Sequence, residues 1–290
     1  MFERITVIGM GLIGSSITRA VQKQGLAKVV VAADADASVC QTVIDLKLAD
    51  FVTQDAGEAV EDADLVILCV PVGMMRKVAE QIAPKLKKGA IVSDAGSVKG
   101  SVVAAVKPFI PLGVEFVPAH PIAGTEFSGP ESGFAELFEG RWCILTPLPE
   151  TDVQAVEKLT RLWEAFGSMI EIMSPKHHDM VLGITSHLPH LIAYTIVGTA
   201  SDLEDDLKSE VIKFSASGFR DFTRIASSDP TMWRDVFLNN KESVLELLQR
   251  FNEDLTALQK AIRQGDGDYL YRRFDETRGI RKAIVDVGQA

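Results

Sequence analysis

The chain of 290 residues is poor in cysteine and in positive charge, and each shortage argues against a class of protein. The cysteines are Cys40, Cys69 and Cys143, which are far apart and lie among apolar residues, so we expect reduced core thiols and a cytoplasmic protein. Lysine and arginine number 30 against 40 aspartates and glutamates, and the resulting charge of −10 would repel nucleic acids and anionic membrane surfaces.

Long apolar runs are also missing, although 47% of the residues are hydrophobic. No uninterrupted run approaches the ~20 residues that a membrane-spanning helix needs, and the first predicted strand follows Met1 almost at once. We therefore expect neither a membrane span nor a leader peptide. The length and composition suffice for the cores of two domains.

What the sequence does contain is a glycine-rich turn between a strand and a helix. A G-x-G-x-x-G pattern follows the β-branched run 5–8 and is formed by Gly9, Gly11 and Gly14, with Leu12 and Ile13 before the last glycine. The first glycine permits the tight turn, the second lets a pyrophosphate approach the backbone, and the third lets the helix pack on the strand. The free N–H groups and positive dipole at the helix start would then face phosphate charge.

The next strand, 28–33, ends in an aspartate that bears on the choice of nucleotide. Asp34 lies about twenty residues after the last glycine, where a carboxylate accepts hydrogen bonds from an adenosine ribose. No lysine or arginine lies within 34–38 to neutralise a 2′-phosphate, and Asp34 and Asp36 would repel one. The predicted cofactor is therefore NAD rather than NADP.

Strands and helices alternate along residues 1–173, which predicts an α/β fold with a doubly wound, Rossmann-type, mostly parallel sheet. The later strands of this one sheet are expected at 64–70, 90–94, 113–117, 142–146 and 169–173. After residue 174 the strand signals vanish, and helices are predicted at 178–200, 211–226, 230–263 and 268–285. We expect a dinucleotide-binding domain, 1–173, and an all-helical domain, 174–290, that binds substrate and forms a homodimer.

Ligands of doubly wound sheets bind at the carboxyl ends of the strands, where three stretches carry candidate residues. Val70 and Pro71 end one strand, Ser97 and Lys99 follow a second, and His120 directly follows a third. A histidine near its reference pKa can accept a proton at neutral pH, as the removal of hydride from an alcohol requires. His120 is therefore the acid–base candidate, with a capping role at the edge of the core as the alternative.

All five histidines lie between residues 120 and 190, and four of them open the helical domain: His177, His178, His187 and His190. The last two could hold a metal, face an anionic substrate or pack between helices. Pro189 bends this helix, so the spacing alone does not decide among these alternatives. No cysteine lies near and hydride transfer to NAD needs no metal, so no metal is predicted.

Further along the chain, Arg220, Asp221 and Arg224 stand in a mostly apolar segment. Arginine offers a planar fork that matches a carboxylate, while a purely structural arginine–aspartate pair is the alternative for one of the two arginines. Taken together, the residues indicate an NAD-dependent dehydrogenase that acts on a small acidic substrate.

These motifs, in this order, resemble those of the prephenate/arogenate (cyclohexadienyl) dehydrogenase family of tyrosine biosynthesis. The stretches that carry the resemblance are 7–15, 94–99, 120–126, 186–190 and 221–226 with Met232 and Trp233. The resemblance implies oxidative decarboxylation of prephenate, arogenate or both, with NAD as the cofactor. The products would be 4-hydroxyphenylpyruvate or tyrosine.

The resemblance also implies roles for individual residues. His120 would take the proton of the ring hydroxyl, Ser97 would orient His120 and the hydroxyl, and Lys99 would lie close by. Arg224 would hold a substrate carboxylate with help from His190. The implied substrate-binding set is completed by His178 and Asp221 as supports and by the motif residues Thr125, Glu126 and Trp233. The expected cofactor-binding set is Gly9, Gly11, Leu12, Ile13, Gly14, Asp34, Val70 and Pro71.

Two other functions fit parts of the pattern. A β-hydroxyacid-type dehydrogenase also joins a nucleotide domain to a helical one. Families of that kind use a lysine base on a helix of the second domain, however, whereas the candidate here is a histidine at a strand end. A non-catalytic, NAD-sensing dimer would need the glycine turn and Asp34 but neither His120 nor Arg224.

Replacing Asp34 by serine together with Ala35 by arginine should raise the use of NADP relative to NAD. The reason is that a repelling carboxylate gives way to a cation that pairs with the 2′-phosphate. Steady-state kinetics with each cofactor measures the ratio of the two kcat/KM values. The single variant Ala35→Arg, which keeps the carboxylate, is the control and should shift the ratio less. An unchanged ratio in the double variant would show that Asp34 does not contact the ribose.

Overall fold

A computed structural model describes residues 1–125, 127–202, 210, 213–214 and 216–286. The chain divides into two compact units, Met1–Lys241 and Glu242–Ala290. The first unit holds both β-sheets and all the residues of the predicted site that the structure describes.

The main sheet has six parallel strands in the order β3-β2-β1-β4-β5-β6. The strands are β1 (Phe2–Ile8), β2 (Ala27–Ala33), β3 (Phe51–Thr53), β4 (Leu65–Leu68), β5 (Ile91–Asp94) and β6 (Glu115–Val117). The helices between them are α1 (Leu12–Gln24), α2 (Ala37–Asp45), α3 (Ala56–Ala59), α4 (Met75–Ile82) and α5 (Lys99–Val106). The prediction of a doubly wound, mostly parallel sheet is confirmed.

Strand β4 lies in the middle of this sheet and is buried on both faces. Leu65 and Ile67 pack into one hydrophobic core, while Val66 and Leu68 pack into the other, and none of the four is exposed. Side chains alternate between the faces of a strand, so a central strand of a covered parallel sheet needs an apolar residue at every position. This explains the unbroken apolar run that predicted the strand.

A second sheet of three strands lies apart from the main one and corrects the expectation of a single sheet. It consists of β7 (Ala119–Pro121), β8 (Trp142–Leu145) and β9 (Met169–Ile172), with α6 (Val153–Ala165) connecting the last two. Pro118 has no N–H with which to continue the ladder of β6, and its carbonyl accepts from the Thr146 N–H at 2.9 Å. Ala119 then pairs antiparallel with Leu145, and His120 consequently lies within a strand rather than in a loop.

The described elements after residue 174 are all helical, as predicted. They are α7 (Pro175–Leu182), a π-helical turn (Gly183–His187), α8 (Leu188–Ser201), α9 (Ser217–Thr223), a 3-10 helix (Arg224–Ser227), α10 (Pro230–Asn239), α11 (Lys241–Gln264) and α12 (Gly267–Asp286). Residues 211, 212 and 215 of the helix predicted at 211–226 lie outside the described residues.

The single helix predicted at 230–263 is two helices, because the chain leaves the helical path at Asn240. The Asn240 side chain is buried there. Its Nδ2 donates to the Asp179 carbonyl at 2.8 Å and lies 3.0 Å from the His187 Nδ1 atom. A polar side chain used in tertiary contacts therefore marks the break, and the apolar spacing of the sequence carried no sign of it.

The stretch Pro175–Ser201 is, by length and composition alone, apolar enough to cross a membrane, with a mean hydropathy of 1.4. It also carries His178, Asp179 and His187, which are all buried and hydrogen-bonded within the first unit. Ionisable side chains of this kind are costly in a bilayer. The internal contacts favour a helix that packs within the protein.

Gly14 sets the distance between α1 and β1, because a Cβ atom at this position would lie 2.0 Å from the Gly9 carbonyl oxygen. We expect Gly14→Ala to lower the free energy of unfolding by about 1–3 kcal/mol. Gly11→Ala is the matched control, since a Cβ there meets nothing within 4 Å, and should cost only a few tenths of a kcal/mol. Urea denaturation without nucleotide measures both. Equal losses would contradict a special packing role for Gly14.

Candidate active site

The glycine turn after β1 has the shape that a bound pyrophosphate requires. Gly9 has a φ of +93°, and a Cβ atom on it would lie 2.7 Å from the Cys69 carbonyl, so only glycine fits. The space around Gly11 is open, and α1 starts at Leu12 without a side-chain cap. The first N–H groups of α1 are therefore available to an anion at the helix start.

Asp34 follows β2 at the same edge of the sheet and is half-buried. Its Oδ2 accepts from the Met10 N–H at 2.8 Å, and its Oδ1 accepts from the Asp36 N–H at 3.0 Å. These bonds fix the carboxylate against the glycine turn. Val70 follows β4 beside that turn, since its backbone nitrogen would be 2.9 Å from a Cβ on Gly9. The residues predicted to bind the cofactor thus share one edge, with Pro71 next in the chain.

The half-buried His120 begins a row of three side chains that we call the relay: His120, His178 and Asp179. The Nδ1 atom of His120 lies 2.9 Å from Nε2 of His178, and Nδ1 of His178 lies 2.9 Å from Oδ1 of Asp179. The Asp179 carboxylate also accepts the Lys99 N–H at 2.7 Å and the Gly100 N–H at 2.8 Å. Because these N–H groups open α5, Asp179 caps that helix from α7.

A buried ion pair, Asp94 with Lys99, holds the backbone just before His120, and we call it the clamp. Both side chains are fully buried. The Lys99 ammonium pairs with Asp94 and donates to the Ala119 carbonyl at 2.6 Å, while the Ala119 N–H donates to Asp94 at 3.3 Å. Burial lowers the pKa of Lys99, although Asp94 opposes the shift. Lys99 therefore contacts the strand that carries His120 rather than solvent.

Burial also determines the charge state of the histidines. It holds the pKa of His120 well below its usual value, and the Lys99 charge lowers it further. Burial lowers the pKa of His178 as well, although the hydrogen bond that His178 donates to Asp179 opposes this shift, and burial lowers the pKa of His187 to about 4. At neutral pH these imidazoles are uncharged, and an uncharged imidazole is the form that accepts a proton.

A second group of side chains lies at the start of α8 and on α10. The His190 ring stacks on Trp233 with 3.6 Å between centroids, and its Nδ1 lies 2.9 Å from the Ser186 carbonyl. Trp233 packs against Val98, the residue before Lys99, which connects this group to the clamp. Burial lowers the pKa of His190, the hydrogen bond to the Ser186 carbonyl opposes this shift, and the charge of Arg224 adds to it.

Arg224 itself is exposed at the end of α9. Among the residues that the structure describes, its guanidinium forms no ion pair, and neither Arg220 nor Asp221 forms one. The structural arginine–aspartate pair considered from the sequence is therefore not seen in that part of the chain. An exposed guanidinium with no ion-pair partner among the described residues can take a carboxylate from a ligand.

The structure gives fewer hydrogen bonds, or none, for the other predicted site residues. Ser97 is half-buried with no hydrogen-bond partner in the described part of the chain, so the partner of His120 is His178 rather than Ser97. Thr125 is exposed and its hydroxyl accepts from the Phe127 N–H at 3.2 Å, while Glu126 lies outside the described residues. Within the described residues, no group of three histidine, cysteine, aspartate or glutamate side chains could hold a metal ion.

Sequence reasoning missed the carboxylates and the amide that organise this site: Asp94, Asp179 and Asn240. Asp94 stands in one of the family motifs, and its place at the end of β5 was the available signal. Asp179 follows His178 directly, but a sequence neighbour gives no indication of a bond to the start of α5. Asn240 carried no signal within its helical pattern.

Comparison with known proteins supplies a family for this arrangement. The chain matches the prephenate dehydrogenase nucleotide-binding domain over residues 17–172 and the prephenate dehydrogenase dimerization domain over residues 174–276. A cyclohexadienyl dehydrogenase of Zymomonas mobilis is 44% identical over 284 residues, which cover 98% of this chain and 97% of the relative. A prephenate dehydrogenase of Bacillus subtilis is 33% identical over 98% of this chain and 76% of the relative.

Solved structures agree with these matches. The crystal structure of a prephenate dehydrogenase from A. aeolicus, in complex with hydroxyphenyl propionate and NAD+, superposes with a TM-score of 0.91 at 34% identity. The comparison covers 98% of this chain and 99% of that one. An arogenate dehydrogenase from Synechocystis superposes with a TM-score of 0.83 at 26% identity, over 97% of this chain and 99% of that one.

The clamp predicts a large difference between two lysine substitutions. Lys99→Met should lower the free energy of unfolding by about 3–5 kcal/mol, because it leaves the Asp94 charge buried without its partner. Lys85→Met is the control, since it breaks a 2.6 Å ion pair with Glu61 whose side chains are about half exposed, and should cost under about 1 kcal/mol. Urea denaturation measures both. A loss for Lys99→Met no larger than that for Lys85→Met would contradict the clamp.

Proposed function

The chain belongs to the prephenate dehydrogenase family, and from that premise we propose that it catalyses the NAD-dependent oxidative decarboxylation of prephenate, arogenate or both. The observation that carries the proposal is His120. It is half-buried and neutral, its ring is bonded to His178, and the clamp holds the backbone before it, all in the unit that contains the nucleotide-binding turn. A β-hydroxyacid-type enzyme is disfavoured, because families of that kind use a lysine base on a helix of the second domain, whereas the candidate base here is His120 on β7.

The cofactor is held by the edge of the main sheet. The glycine turn and the N–H groups of Leu12 and Ile13 would bind the pyrophosphate. Asp34, fixed by the Met10 N–H, would bind the adenosine ribose, and the absence of a cation in 34–38 favours NAD over NADP. Val70 and Pro71 complete this proposed set at the end of β4.

The chemistry requires one proton acceptor from the protein. Bound NAD would supply the acceptor for the hydride that leaves the ring carbinol carbon. His120 takes the hydroxyl proton as the carbon–oxygen double bond forms. When the ring carboxylate is lost as CO₂, the electron pair of the broken carbon–carbon bond completes the aromatic ring. His120 then returns its proton to the ring oxygen, so the base is regenerated in each turnover.

Substrate binding falls to the group at the start of α8 and its neighbours. Arg224 holds a substrate carboxylate as a forked, charge-assisted pair, and His190, kept in place by its stack on Trp233, assists. Supporting roles are proposed for Ser97, Thr125, Glu126, His178 and Asp221. Prephenate and arogenate differ in a keto against an amino group, and a single contact can decide between them.

The direct test of the proposal is the production of NADH from each substrate, with NAD and NADP supplied in turn. We expect NADH from at least one of the two substrates and a preference for NAD. Binding of NAD without its reduction in the presence of either substrate would overturn the proposal and favour a non-catalytic NAD sensor.

Two substitutions separate the proposed roles of base and anchor. His120→Asn should lower kcat by ~10²–10⁴ with substrate KM nearly unchanged, because it removes the proton acceptor. Arg224→Gln should raise KM about 30-fold or more, because it leaves a carboxylate without its charge-assisted pair. Arg220→Gln, an exposed arginine one turn earlier, is the control and should spare KM. A near-normal kcat in His120→Asn would contradict the role of base, and a near-normal KM in Arg224→Gln would contradict the role of anchor.

We further propose that the protein works in the cytoplasm as a homodimer. The dimer is supported by residues 174–276, which match a dimerization domain. The cytoplasmic location is supported by the three free cysteines, because the cytosol keeps thiols reduced. Large apolar side chains are exposed on the helices of the second unit: Leu245, Leu255, Ile262, Tyr271 and Phe274. Apolar surface of this kind is usually covered by another copy of the chain.

The homodimer is checked by sedimentation at micromolar concentration. We expect a species of about twice the 31.5 kDa chain mass. Replacement of Ile262 and Phe274 by lysine should shift the distribution towards monomer, because charges would enter a dry interface. A parent protein that sediments only as a 31.5 kDa species would contradict the homodimer.

A further inference from the structure

The donor and the acceptor of each hydrogen bond in the relay can be assigned, because one end of the relay is a carboxylate. An aspartate carboxylate can only accept hydrogen bonds, and both oxygens of Asp179 already accept backbone N–H groups at the start of α5. Nδ1 of His178, 2.9 Å from Asp179 Oδ1, must therefore carry a proton and donate it. This assignment follows from the partners alone.

The proton position on His178 determines that on His120. A neutral imidazole carries one ring proton, so His178 with its proton on Nδ1 presents Nε2 as an acceptor. Nδ1 of His120 lies 2.9 Å from that acceptor and must be the donor. Nε2 of His120 is then the ring nitrogen without a proton, and none of the residues that the structure describes donates to its lone pair.

We propose that His178 and Asp179 are positioning residues that hold His120 in its Nδ1–H tautomer, so that Nε2 is the atom that accepts the substrate proton. The identity of that substrate rests on the proposed function, whereas the tautomer is a property of the protein itself. A histidine in the other tautomer would direct an N–H group at the hydroxyl and could not act as its base.

The relay also favours the charged state that His120 passes through during turnover. The Lys99 charge opposes a positive charge on His120, and Asp94 is already paired with Lys99. When His120 holds the substrate proton, its Nδ1–H continues to donate to His178, and His178 donates to the Asp179 carboxylate. A carboxylate placed behind a histidine stabilises an imidazolium in this way without taking its proton.

The far end of the relay is fixed at three points. Besides the two N–H groups of α5, the Asp179 backbone carbonyl accepts from Asn240 Nδ2 at 2.8 Å. Gly100 is required for this arrangement, because a Cβ atom there would lie 2.8 Å from Asp179 Oδ2. The carboxylate therefore cannot rotate to release His178 without breaking the cap of α5.

The tautomer is tested on the parent protein without substrate or cofactor. In protein labelled with ¹⁵N at histidine, long-range proton–nitrogen spectra distinguish protonated from unprotonated ring nitrogens, and His120→Asn identifies the signals of His120. We expect a protonated Nδ1 and an unprotonated Nε2. A protonated Nε2 on His120 would overturn the proposal, whatever the enzyme's substrate is.

Substitutions of His178 test the consequence for the reaction. His178→Leu removes the acceptor, so the His120 tautomer is no longer imposed, and kcat should fall about 10–100-fold while KM changes less than about 3-fold. His178→Gln restores a carbonyl acceptor and should recover most of the loss. His177→Gln changes an exposed neighbour on the same helix and should leave kcat unchanged.

The possible results distinguish an error in the proposed tautomer of His120 from an error in the proposed function. Equal losses in His178→Leu and His178→Gln, or a loss confined to KM, would contradict a tautomer-setting role. If the parent oxidises neither prephenate nor arogenate, the proposed function fails and the spectrum of His120 still decides the relay. If His178→Leu does not fold, the spectrum of the parent and the kcat of His178→Gln decide it.

Discussion

The site depends on one interaction, the binding of the Asp179 carboxylate to the first two N–H groups of α5. It joins the helical part of the first unit to the sheet that carries the nucleotide-binding turn. The carboxylate is favourable there because a helix start presents unpaired donors and the positive end of the dipole. The same carboxylate accepts from His178, so the residue that caps α5 also orients His120, the proposed base, through His178.

Placing so many ionisable groups together out of water has an electrostatic cost, and the arrangement offsets it by pairing. Lys99 is matched with Asp94, and the imidazoles of His120, His178 and His187 remain neutral because burial disfavours their charged forms. A base with a lowered pKa is weaker than a free imidazole, but it is almost entirely in the proton-accepting form at neutral pH. The relay compensates for the lost basicity only when His120 is charged.

What the sequence predicted well is what local chemistry determines. The glycine turn, the alternation of strands and helices, and the carboxylate of Asp34 depend on residues close together in the chain. The second sheet was not predicted because it depends on Pro118 ending a strand and on the pairing of residues far apart. The bond of Asp179 to α5 and the helix break at Asn240 likewise depend on long-range contacts. The family resemblance identified His120, His178 and Lys99, but not the carboxylates of Asp94 and Asp179 that pair with them.

The central claim is that a neutral His120 is the proton acceptor, and the pH dependence of kcat/KM tests it most directly. Because the pKa of His120 is held well below 6.5, the base is lost only as the pH falls through that lowered value. Measured from about pH 4 to pH 9 with NAD and the preferred substrate, kcat/KM should stay level through neutral pH and fall only well below 6.5. A fall centred at or above 6.5, or the same fall in the residual activity of His120→Asn, would contradict the account.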